Sequence, residues 1–514
     1  MALHSLSRAM AIITLLSLQG CAELPSLDHR HASTALQDTA TTSLGRTLAS
    51  MQQAHAGQSG VFAIADGHDA FAARVLLADA AERSLDAQYF IWKKDISGTL
   101  LLEAMQRAAD RGVRVRLLLD DGNTQGLEAT IAELDAHPNI EVRLFNPFIG
   151  LRLHAAGYVL DFGRLNRRMH NKSFTVDNQA TIVGGRNIGD EYFDAGHRIP
   201  FLDLDVLAVG PVVNDVSQEF DRYWASGSSY PAHLVLPAVR TASANRLRRV
   251  AVLIEQDPAS LVYTEAIARA PFVREMLAHR LPFDWAEVRL LSDDPEKGLG
   301  LTTDDELLWP QLKRILKTPK RELLVVSPYF VPGKEGADFF ITLAKSGVKV
   351  TVFTNSLAAT DVPAVHAGYA RQRKRLLAAG VGLFELQRKA PAPDDEGLQP
   401  SIGSSGSTLH AKTFCVDGEH VFVGSFNFDP RSARLNTEMG LVIDSPALAL
   451  SITDSLRRDI ADHAYEVRLT KTGALQWIDR VGGKDLVYEQ EPGTSLWQRL
   501  KVDLLSILPI EWLL

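Results

Sequence analysis

Cysteine is scarce in this sequence, which has only Cys21 and Cys415 among its 514 residues. Cys21 directly follows an apolar run and Cys415 lies on a predicted strand, so the two are not expected to form a disulfide. A fold held by a framework of disulfides is therefore excluded. The chain is nevertheless long enough to bury two or three hydrophobic cores.

A basic excess is also missing, because the net charge is -8, and this argues against a general nucleic-acid binder. No long apolar run is present either. The run from Ala9 to Leu18 is too short to span a bilayer as a mature helix but has the length of a secretory signal. Leu18 to Cys21 resembles a bacterial lipoprotein cleavage box, so residues 1–20 are predicted to be a signal peptide and Cys21 the lipid anchor. A plain signal peptide with a chance cysteine is the alternative.

The sequence contains an internal duplication, in which the pattern His-x-Lys-x4-Asp occurs twice with the histidines 240 positions apart. The two copies are His170, Lys172 and Asp177, and His410, Lys412 and Asp417. Each copy continues after six residues into a short segment that ends at Asn187 or at Asn427. One isolated copy would be a chance occurrence on a strand, but two extended copies indicate a functional duplication.

Apolar periodicity predicts an α/β protein built from two similar halves. Strand, helix and strand follow one another in each half, which indicates parallel βαβ units, and each motif lies on a predicted hairpin. The predicted divisions are a tether (21–60), a first half (61–240, motif 170–187), a connecting helical segment (241–310), a second half (311–470, motif 410–427) and a C-terminal amphipathic extension (471–514).

The paired motifs supply the groups that phosphodiester chemistry needs without a metal. Lys172 and Lys412 offer point charges for phosphate oxygens, and the two asparagines can donate amide hydrogen bonds to the same oxygens. One histidine can attack phosphorus while the other protonates the leaving oxygen. No metal or other cofactor is expected, because the motifs lack the paired His/Cys spacing of a zinc site and lysine is a poor ligand.

A histidine used in this way needs an acceptor that fixes its tautomer. Glu438 follows the second motif, and Asp203 is its predicted equivalent in the first half, with Asp205 as a close rival. Asp177 and Asp417 lie at hairpin turns and are predicted to be structural.

These motifs resemble those of the phospholipase D superfamily, and residues 201–224, 355–369 and 508–511 are most similar to its cardiolipin synthase branch of the bacterial C type. The resemblance implies two α/β/α halves with mixed sheets, related by a pseudo-two-fold axis around one active site. It also implies transfer of a phosphatidyl group from one phospholipid to phosphatidylglycerol through a phosphohistidine. By analogy His170 would be the nucleophile and His410 the acid/base. The sequence departs from the family at Gly185, where the family usually has serine, and lacks the membrane-spanning N-terminus of other cardiolipin synthases.

Several expectations accompany this interpretation. The expected partners are phospholipids and a membrane surface, and not nucleic acid. The protein is expected in the bacterial cell envelope, lipid-anchored to a membrane and facing the periplasm. Residues 146–169 are a candidate lipid-contacting rim, and residues 388–409 a candidate lid or a solvated insertion. His366 and Tyr369 could line a headgroup pocket or belong to the core. Alternative functions are hydrolysis of phospholipids, a nuclease, and a non-catalytic lipid-binding lipoprotein.

Overall fold

The computed structural model describes residues 24–148, 158, 161–194, 202–237, 245–269, 271–278, 280–316, 319–388 and 409–508. The predicted signal peptide and Cys21 lie outside these residues, as do most of the candidate lid and the middle of the candidate rim. Within the described residues, no helix is both long enough and apolar enough to cross a membrane.

The strands, numbered in chain order, fall into two similar sets. They are β1 (Ser59–Ile64), β2 (Ser84–Tyr89), β3 (Arg114–Asp120), β4 (Ile140–Phe145), β5 (Ser173–Val176), β6 (Ala180–Gly184), β7 (Asp205–Val209), β8 (Ser229–Pro231), β9 (Asp284–Ser292), β10 (Glu322–Val326), β11 (Lys349–Asn355), β12 (Gly382–Leu386), β13 (Thr413–Val416), β14 (His420–Gly424), β15 (Met439–Asp444), β16 (Ala464–Leu469), β17 (Leu475–Val481) and β18 (Lys484–Tyr488).

The described α-helices lie between these strands and at the ends of the chain. They are α1 (Ser43–Ala54), α2 (Gly67–Ala80), α3 (Ile96–Asp110), α4 (Glu128–Asp135), α5 (Phe162–Leu165), α6 (Pro211–Ala225), α7 (Ala232–Val235), α8 (Arg246–Glu255), α9 (Pro258–Arg269), α10 (Pro271–Leu277), α11 (Leu308–Leu316), α12 (Gly333–Lys345), α13 (Pro363–Ala378), α14 (Pro430–Arg434), α15 (Pro446–His463) and α16 (Leu496–Ile507).

Each half is built on a mixed sheet with the same strand order. The first sheet runs β8-β4-β3-β2-β5-β6-β7-β1, and the second runs β16-β12-β11-β10-β13-β14-β15 with β9 in the place of β1. The strands β2, β3 and β4 are parallel, as are β10, β11 and β12. The predicted α/β class with two related halves is confirmed.

Strand β9 joins the two sheets. Its first residues pair with β1, and residues from Glu287 to Ser292 pair antiparallel with β15. A hydrophobic cluster that includes Val61, Val206, Leu441 and Ile443 spans both sheets at this junction. Because backbone pairing and apolar packing cross the same boundary, the halves are held in one fixed relation, which a site between them requires.

The segments outside the two halves are more integrated than their sequence suggests. The described part of residues 241–310, expected to be helical, contains α8, α9, α10 and the start of α11, and also β9. The expected tether 21–60 includes α1, and its Arg30 guanidinium donates to the carbonyl of Ser229 at 2.9 Å. In the C-terminal extension, β17 and β18 add a hairpin to the second sheet through β16.

The motif residue Asp177 has a clear mechanical role in the hairpin turn. Its buried carboxylate accepts hydrogen bonds from the backbone N–H groups of Glu82, Arg83 and Ser84 at 3.0, 2.7 and 2.9 Å. It thereby ties the turn to the start of β2, and Asp417 makes the equivalent contacts before β10.

Replacing Asp177 with alanine is expected to lower the free energy of unfolding by about 3 kcal/mol, because one buried and two partly buried hydrogen bonds from backbone donors are lost together. Urea denaturation of the purified protein measures this loss. Asp417→Ala is the matched control, and its effect should be smaller because the hydrogen bonds of Asp417 are solvent-exposed. Equal stability of Asp177→Ala and the parent protein would contradict the assigned role.

Candidate active site

The two motifs meet where the halves face each other. His170 and Lys172 lie just before β5, and His410 and Lys412 lie just before β13. Each approach is fixed by a backbone bridge to the other half: the His170 N–H donates to the carbonyl of Thr437 at 2.9 Å. The His410 N–H donates to the carbonyl of Leu202, also at 2.9 Å. Both bridges end one residue before a carboxylate.

Each histidine takes its carboxylate from the opposite half. His170 Nδ1 lies 2.8 Å from Glu438 Oε2, and His410 Nδ1 lies 2.6 Å from Asp203 Oδ2. With the Nδ1 proton directed at a carboxylate, Nε2 carries the basic lone pair of each ring. Neither half can orient its own histidine, so the arrangement makes one site out of two incomplete ones.

Sheet register explains why Asp203, and not Asp205, faces His410. Asp205 pairs with Gly184 across β6 and β7, as Gly440 pairs with Gly424 across β14 and β15. Asp203 and Glu438 therefore occupy equivalent positions, two residues earlier. The carboxylate of Asp205 is instead buried against the Arg74 guanidinium at 2.9 Å.

The family departure at Gly185 follows from the same equivalence. Ser425, its counterpart, donates a hydrogen bond from Oγ to Glu438 Oε2. A Cβ atom on Gly185 would lie only 2.1 Å from Asp203 Oδ1. In the first half, the carboxylate of Asp203 occupies the space that a serine side chain would need. In the second half, the serine is present and donates to the carboxylate of Glu438.

The lysines and asparagines surround the histidines. Lys172 Nζ donates to the carbonyl of His170 at 2.6 Å, and Lys412 Nζ donates to that of His410. Asn187 accepts from the backbone N–H of Ile91 at 3.2 Å, which turns its amide nitrogen toward the site. Asn427 is buried, and its Oδ1 has no hydrogen-bond partner among the described residues. These contacts bring seven of the eight predicted site residues together, and the eighth, Asn427, lies two residues after Ser425, which contacts Glu438.

Two aromatic rings that carried no predicted role cap the histidines. Phe90 meets His170 edge to face, with ring centroids 4.8 Å apart, and Tyr192 meets His410 in the same way at 5.1 Å. Tyr192 Oη also accepts a hydrogen bond from Asn187 Nδ2 at 3.1 Å. The pair Tyr89-Phe90 recurs 240 positions later as Tyr329-Phe330, and this repeat is a sequence signal for Phe90, whereas nothing in the sequence marks Tyr192. Both rings come from the first half, so the two halves contribute different side chains to the site.

A buried pair behind Glu438 was also missed. Asp293 follows β9 and accepts from the backbone N–H of Glu438 at 2.9 Å. Lys297 Nζ contacts Asp293 Oδ2 at 2.8 Å and the carbonyl of Ser432 at 2.9 Å. This pair fixes the backbone that presents Glu438, and it comes from the connecting segment outside both duplicated halves.

Burial and mutual repulsion lower the pKa values of the lysines and histidines of the site. Burial, reinforced by Lys412, holds the pKa of Lys172 well below its usual range, and burial lowers the pKa of Lys412 to about 8. Burial and the lysine charges also lower the pKa of His410 to about 4 and that of His170 well below its usual value. Both imidazoles are therefore neutral at pH 7, and a phosphate would relieve the repulsion between the lysines.

The carboxylates of Glu438 and Asp203 have very different pKa values. Burial raises the pKa of Glu438 to about 7, although Lys172 and the hydrogen bond from Ser425 oppose the rise. Burial also acts to raise the pKa of Asp203, but the facing His410 and Lys412 outweigh it and bring that pKa to about 2. Asp203 is thus ionised throughout the physiological range, whereas Glu438 titrates within it.

Two other sequence expectations are placed elsewhere. His366 and Tyr369 are buried, so the core alternative describes them better than the headgroup pocket. His366 Nε2 contacts Glu491 at 3.0 Å, and Tyr369 donates to Glu385 at 3.1 Å.

One group of described residues has side chains close enough together to share a cation. It consists of Asp66, His68 and Asp194, none of which was a predicted site residue. Exposed acidic groups of this kind are common without an ion. The expectation that the reaction needs no metal stays a prediction.

Comparison with known proteins gives the family. The family model described as "Cardiolipin synthase, PLD-like domain" matches residues 76–224 and 312–460, once in each half. Cardiolipin synthase C of Escherichia coli K12 is 50% identical over 463 residues, which cover 90% of this chain and 97% of that protein. Cardiolipin synthase A of Pseudomonas entomophila is 26% identical, over 78% of this chain and 68% of its own.

A solved structure shows the same fold. The crystal structure of phosphatidylserine synthase from Haemophilus influenzae matches with a TM-score of 0.57 at 13% identity, covering 91% of this chain and all of that one. The duplicated motifs, the crossed histidine–carboxylate pairs and these comparisons agree. The chain belongs to the cardiolipin synthase family of phospholipase D-like proteins.

Proposed function

We propose that the protein is a cardiolipin synthase, an enzyme that transfers a phosphatidyl group from one phospholipid to the glycerol hydroxyl of phosphatidylglycerol. The observation that carries this proposal is the pair of imidazoles, each oriented by a carboxylate of the other half and flanked by a buried lysine. Cardiolipin synthase C of Escherichia coli, identical at 50% of 463 aligned residues, also supports the proposal.

In the first step, His170 Nε2 attacks the phosphorus of the donor lipid. A nitrogen–phosphorus bond forms and the bond to the leaving headgroup oxygen breaks, while that oxygen takes the Nε2 proton of His410, whose imidazolium form is favoured by Asp203 and by the negative charge of the bound phosphodiester. Lys172, Lys412, Asn187 and Asn427 hold the non-bridging oxygens. In the second step, His410 accepts the proton of the incoming glycerol hydroxyl, which attacks phosphorus and releases His170.

The assignment of His170 as nucleophile is supported by its deeper burial. The side chain of His170 is 8% exposed and that of His410 is 17% exposed. A proton-transfer group must reach both the departing headgroup and the incoming hydroxyl, which suits the more accessible ring. The nucleophile remains covalently attached between steps and is better shielded from water.

We also infer that the protein acts at a membrane of the bacterial envelope, anchored through acylated Cys21 and facing the periplasm. The lipoprotein-like box before Cys21 supports this, and the lipid substrates require a bilayer surface. Mass spectrometry of the mature N-terminus tests it, because a diacylglycerol-modified Cys21 is expected. An unmodified N-terminus would contradict the anchor without affecting the chemistry.

Hydrolysis is the competing reaction of the same site, since water can replace the acceptor hydroxyl. Purified protein in vesicles containing isotope-labelled phosphatidylglycerol is expected to produce labelled cardiolipin as the main product. Phosphatidic acid as the dominant product would favour a phospholipase D instead. No turnover of either kind would favour a non-catalytic lipid-binding protein.

The titration of Glu438 gives a pH prediction. Its pKa is raised, so the protonated form dominates below about pH 7 and the weakened acceptor no longer holds the Nδ1 proton of His170. The value of kcat/KM should therefore fall as the pH falls through about 7. Ser425→Ala removes a hydrogen bond that stabilises the carboxylate, so this acidic limb should move about one unit higher.

Kinetics from pH 5 to pH 8 measure the shift. Ser217→Ala, a change at another buried serine, on α6, is the matched control and should leave the limb in place. An acidic limb at the same pH in Ser425→Ala and the parent protein would show that Glu438 does not control it.

A further inference from the structure

An exposed apolar face lies on the last described helix. Helix α16 begins at Leu496 after a capping box formed by Ser495 and Gln498. Its inner face packs on the body of the protein through Val502, which clusters with Leu357 and Ala367. Its exposed side chains include five large apolar ones as well as polar ones such as Lys501 and Asp503, so this helix buries one apolar face and presents another.

The exposed side chains form a continuous stripe, which we call the outer face of α16. It consists of Leu496, Trp497, Leu500, Leu504 and Ile507, which are 61, 79, 46, 64 and 77% exposed. At 100° per residue they fall within roughly 120° of the helix circumference. Single exposed apolar residues are common, whereas a row of five that includes a largely exposed tryptophan indicates a surface that binds a membrane or another molecule.

The outer face is connected to the active site by one loop. Asn355, at the end of β11, exchanges hydrogen bonds with the backbone of Leu409, the residue before His410, at 2.9 and 3.0 Å. The loop that follows packs against the start of α16, where Gly493 lies against Ala358. Asn355 therefore contacts the residue before His410, and the loop that follows Asn355 contacts the segment that leads into α16.

We propose that the outer face of α16 is a bilayer-docking surface that places the active site against the membrane. The inference rests on the proposed function, because only an enzyme whose substrates lie in a bilayer needs such an orientation. Trp497 suits the boundary between headgroups and acyl chains, and the exposed side chains of Lys501 and Asp503 border the apolar face on its two sides.

The size of the face favours a bilayer over a protein partner. A stable protein interface uses roughly 20–30 residues a side, whereas the outer face of α16 offers five large side chains on one helix. A bilayer requires no matching surface, and shallow insertion of one apolar helix face is enough to orient an already anchored enzyme.

Fluorescence quenching tests the proposal directly on the full-length chain. The protein is reconstituted in vesicles of phosphatidylethanolamine and phosphatidylglycerol, with or without brominated acyl chains. Brominated lipid should quench the parent protein more than Trp497→Phe, and the difference is the emission of Trp497. Equal fractional quenching of the two proteins would overturn the proposal and would indicate that a protein or another part of the chain covers the face.

A kinetic comparison separates docking from chemistry. The double variant Leu504→Ser, Ile507→Ser is expected to lower kcat/KM on vesicle lipid about tenfold or more, while turnover of dispersed short-chain phosphatidylglycerol stays within twofold. Leu253→Ser, at a leucine on α8 that is 68% exposed, is the matched control and should leave both rates unchanged.

Equal losses on vesicle and dispersed lipid, or no loss on either, would contradict docking through α16. Failure of the parent protein to turn over both substrates would instead contradict the proposed function. The two failures are therefore distinguishable.

Discussion

Replacing His170, the proposed nucleophile, with alanine is expected to reduce phosphatidyl transfer by at least about 10⁴-fold. Removal of the acid/base is expected to cost about 10²- to 10⁴-fold. His170→Ala should therefore be the more damaging change, and His410→Ala the less damaging one. Labelled cardiolipin formation in vesicles, followed over hours, measures both.

A substrate with a better leaving group separates the two roles. A phosphatidyl ester of nitrophenol needs no proton on its leaving oxygen, so His410→Ala should release one nitrophenol per enzyme in a burst at close to the parental rate. Release should then slow, because the second step needs His410 as a base. His170→Ala should stay inactive with this substrate, because no group attacks phosphorus. Rescue of His170→Ala but not of His410→Ala would reverse the assignment.

His420→Ala is the matched control for these variants. His420 lies on β14 close to the second motif, and its Nδ1 contacts Asp444 Oδ1 at 2.7 Å. It is thus another histidine–carboxylate pair of the same half, outside the site. Its loss should leave turnover within about twofold, and a loss as large as that of His410→Ala would indicate that the variants act through folding.

Neutralising the orienting carboxylates is the second large effect. Glu438→Gln and Asp203→Asn keep the size of each side chain but favour the wrong tautomer of the facing histidine. By comparison with the aspartate of a Ser-His-Asp triad, each is expected to lower kcat by up to about 10⁴-fold. Asp444→Asn, which alters the control pair with His420, should have little effect.

The crossed arrangement makes a further distinction possible with these variants. Because Glu438 holds His170, Glu438→Gln should slow nucleophilic attack and should not be rescued by the nitrophenol ester. Asp203→Asn should be rescued in the same way as His410→Ala, since it acts through the acid/base. Identical responses of Glu438→Gln and Asp203→Asn would contradict the crossed pairs.

The local structure was largely predictable from the sequence. The hairpin predicted at each motif is present, as β5 with β6 and as β13 with β14, because alternation of apolar residues and a turn signal define a hairpin locally. Parallel strands such as β3 were also predictable, since they are buried on both faces and read as continuous apolar runs.

The relation between the halves was not predictable in this way. Nothing in the sequence near Glu438 states that it faces His170, because that contact depends on how β9 joins the two sheets. The helical spacing of His366 and Tyr369 placed both on one face of α13 but could not say which layer covers that face. The C-terminal extension covers it, through Glu491.

Capture of the covalent intermediate tests the central claim most directly, namely that two halves form one site in which a histidine carries the phosphatidyl group. The protein is mixed with phosphatidylglycerol for milliseconds, denatured at neutral pH, digested and analysed by mass spectrometry. We expect a phosphatidyl adduct on the peptide that contains His170, and none on the peptide that contains His410. Cardiolipin formation with an adduct on His410, or with no histidine adduct at any time, would contradict the account.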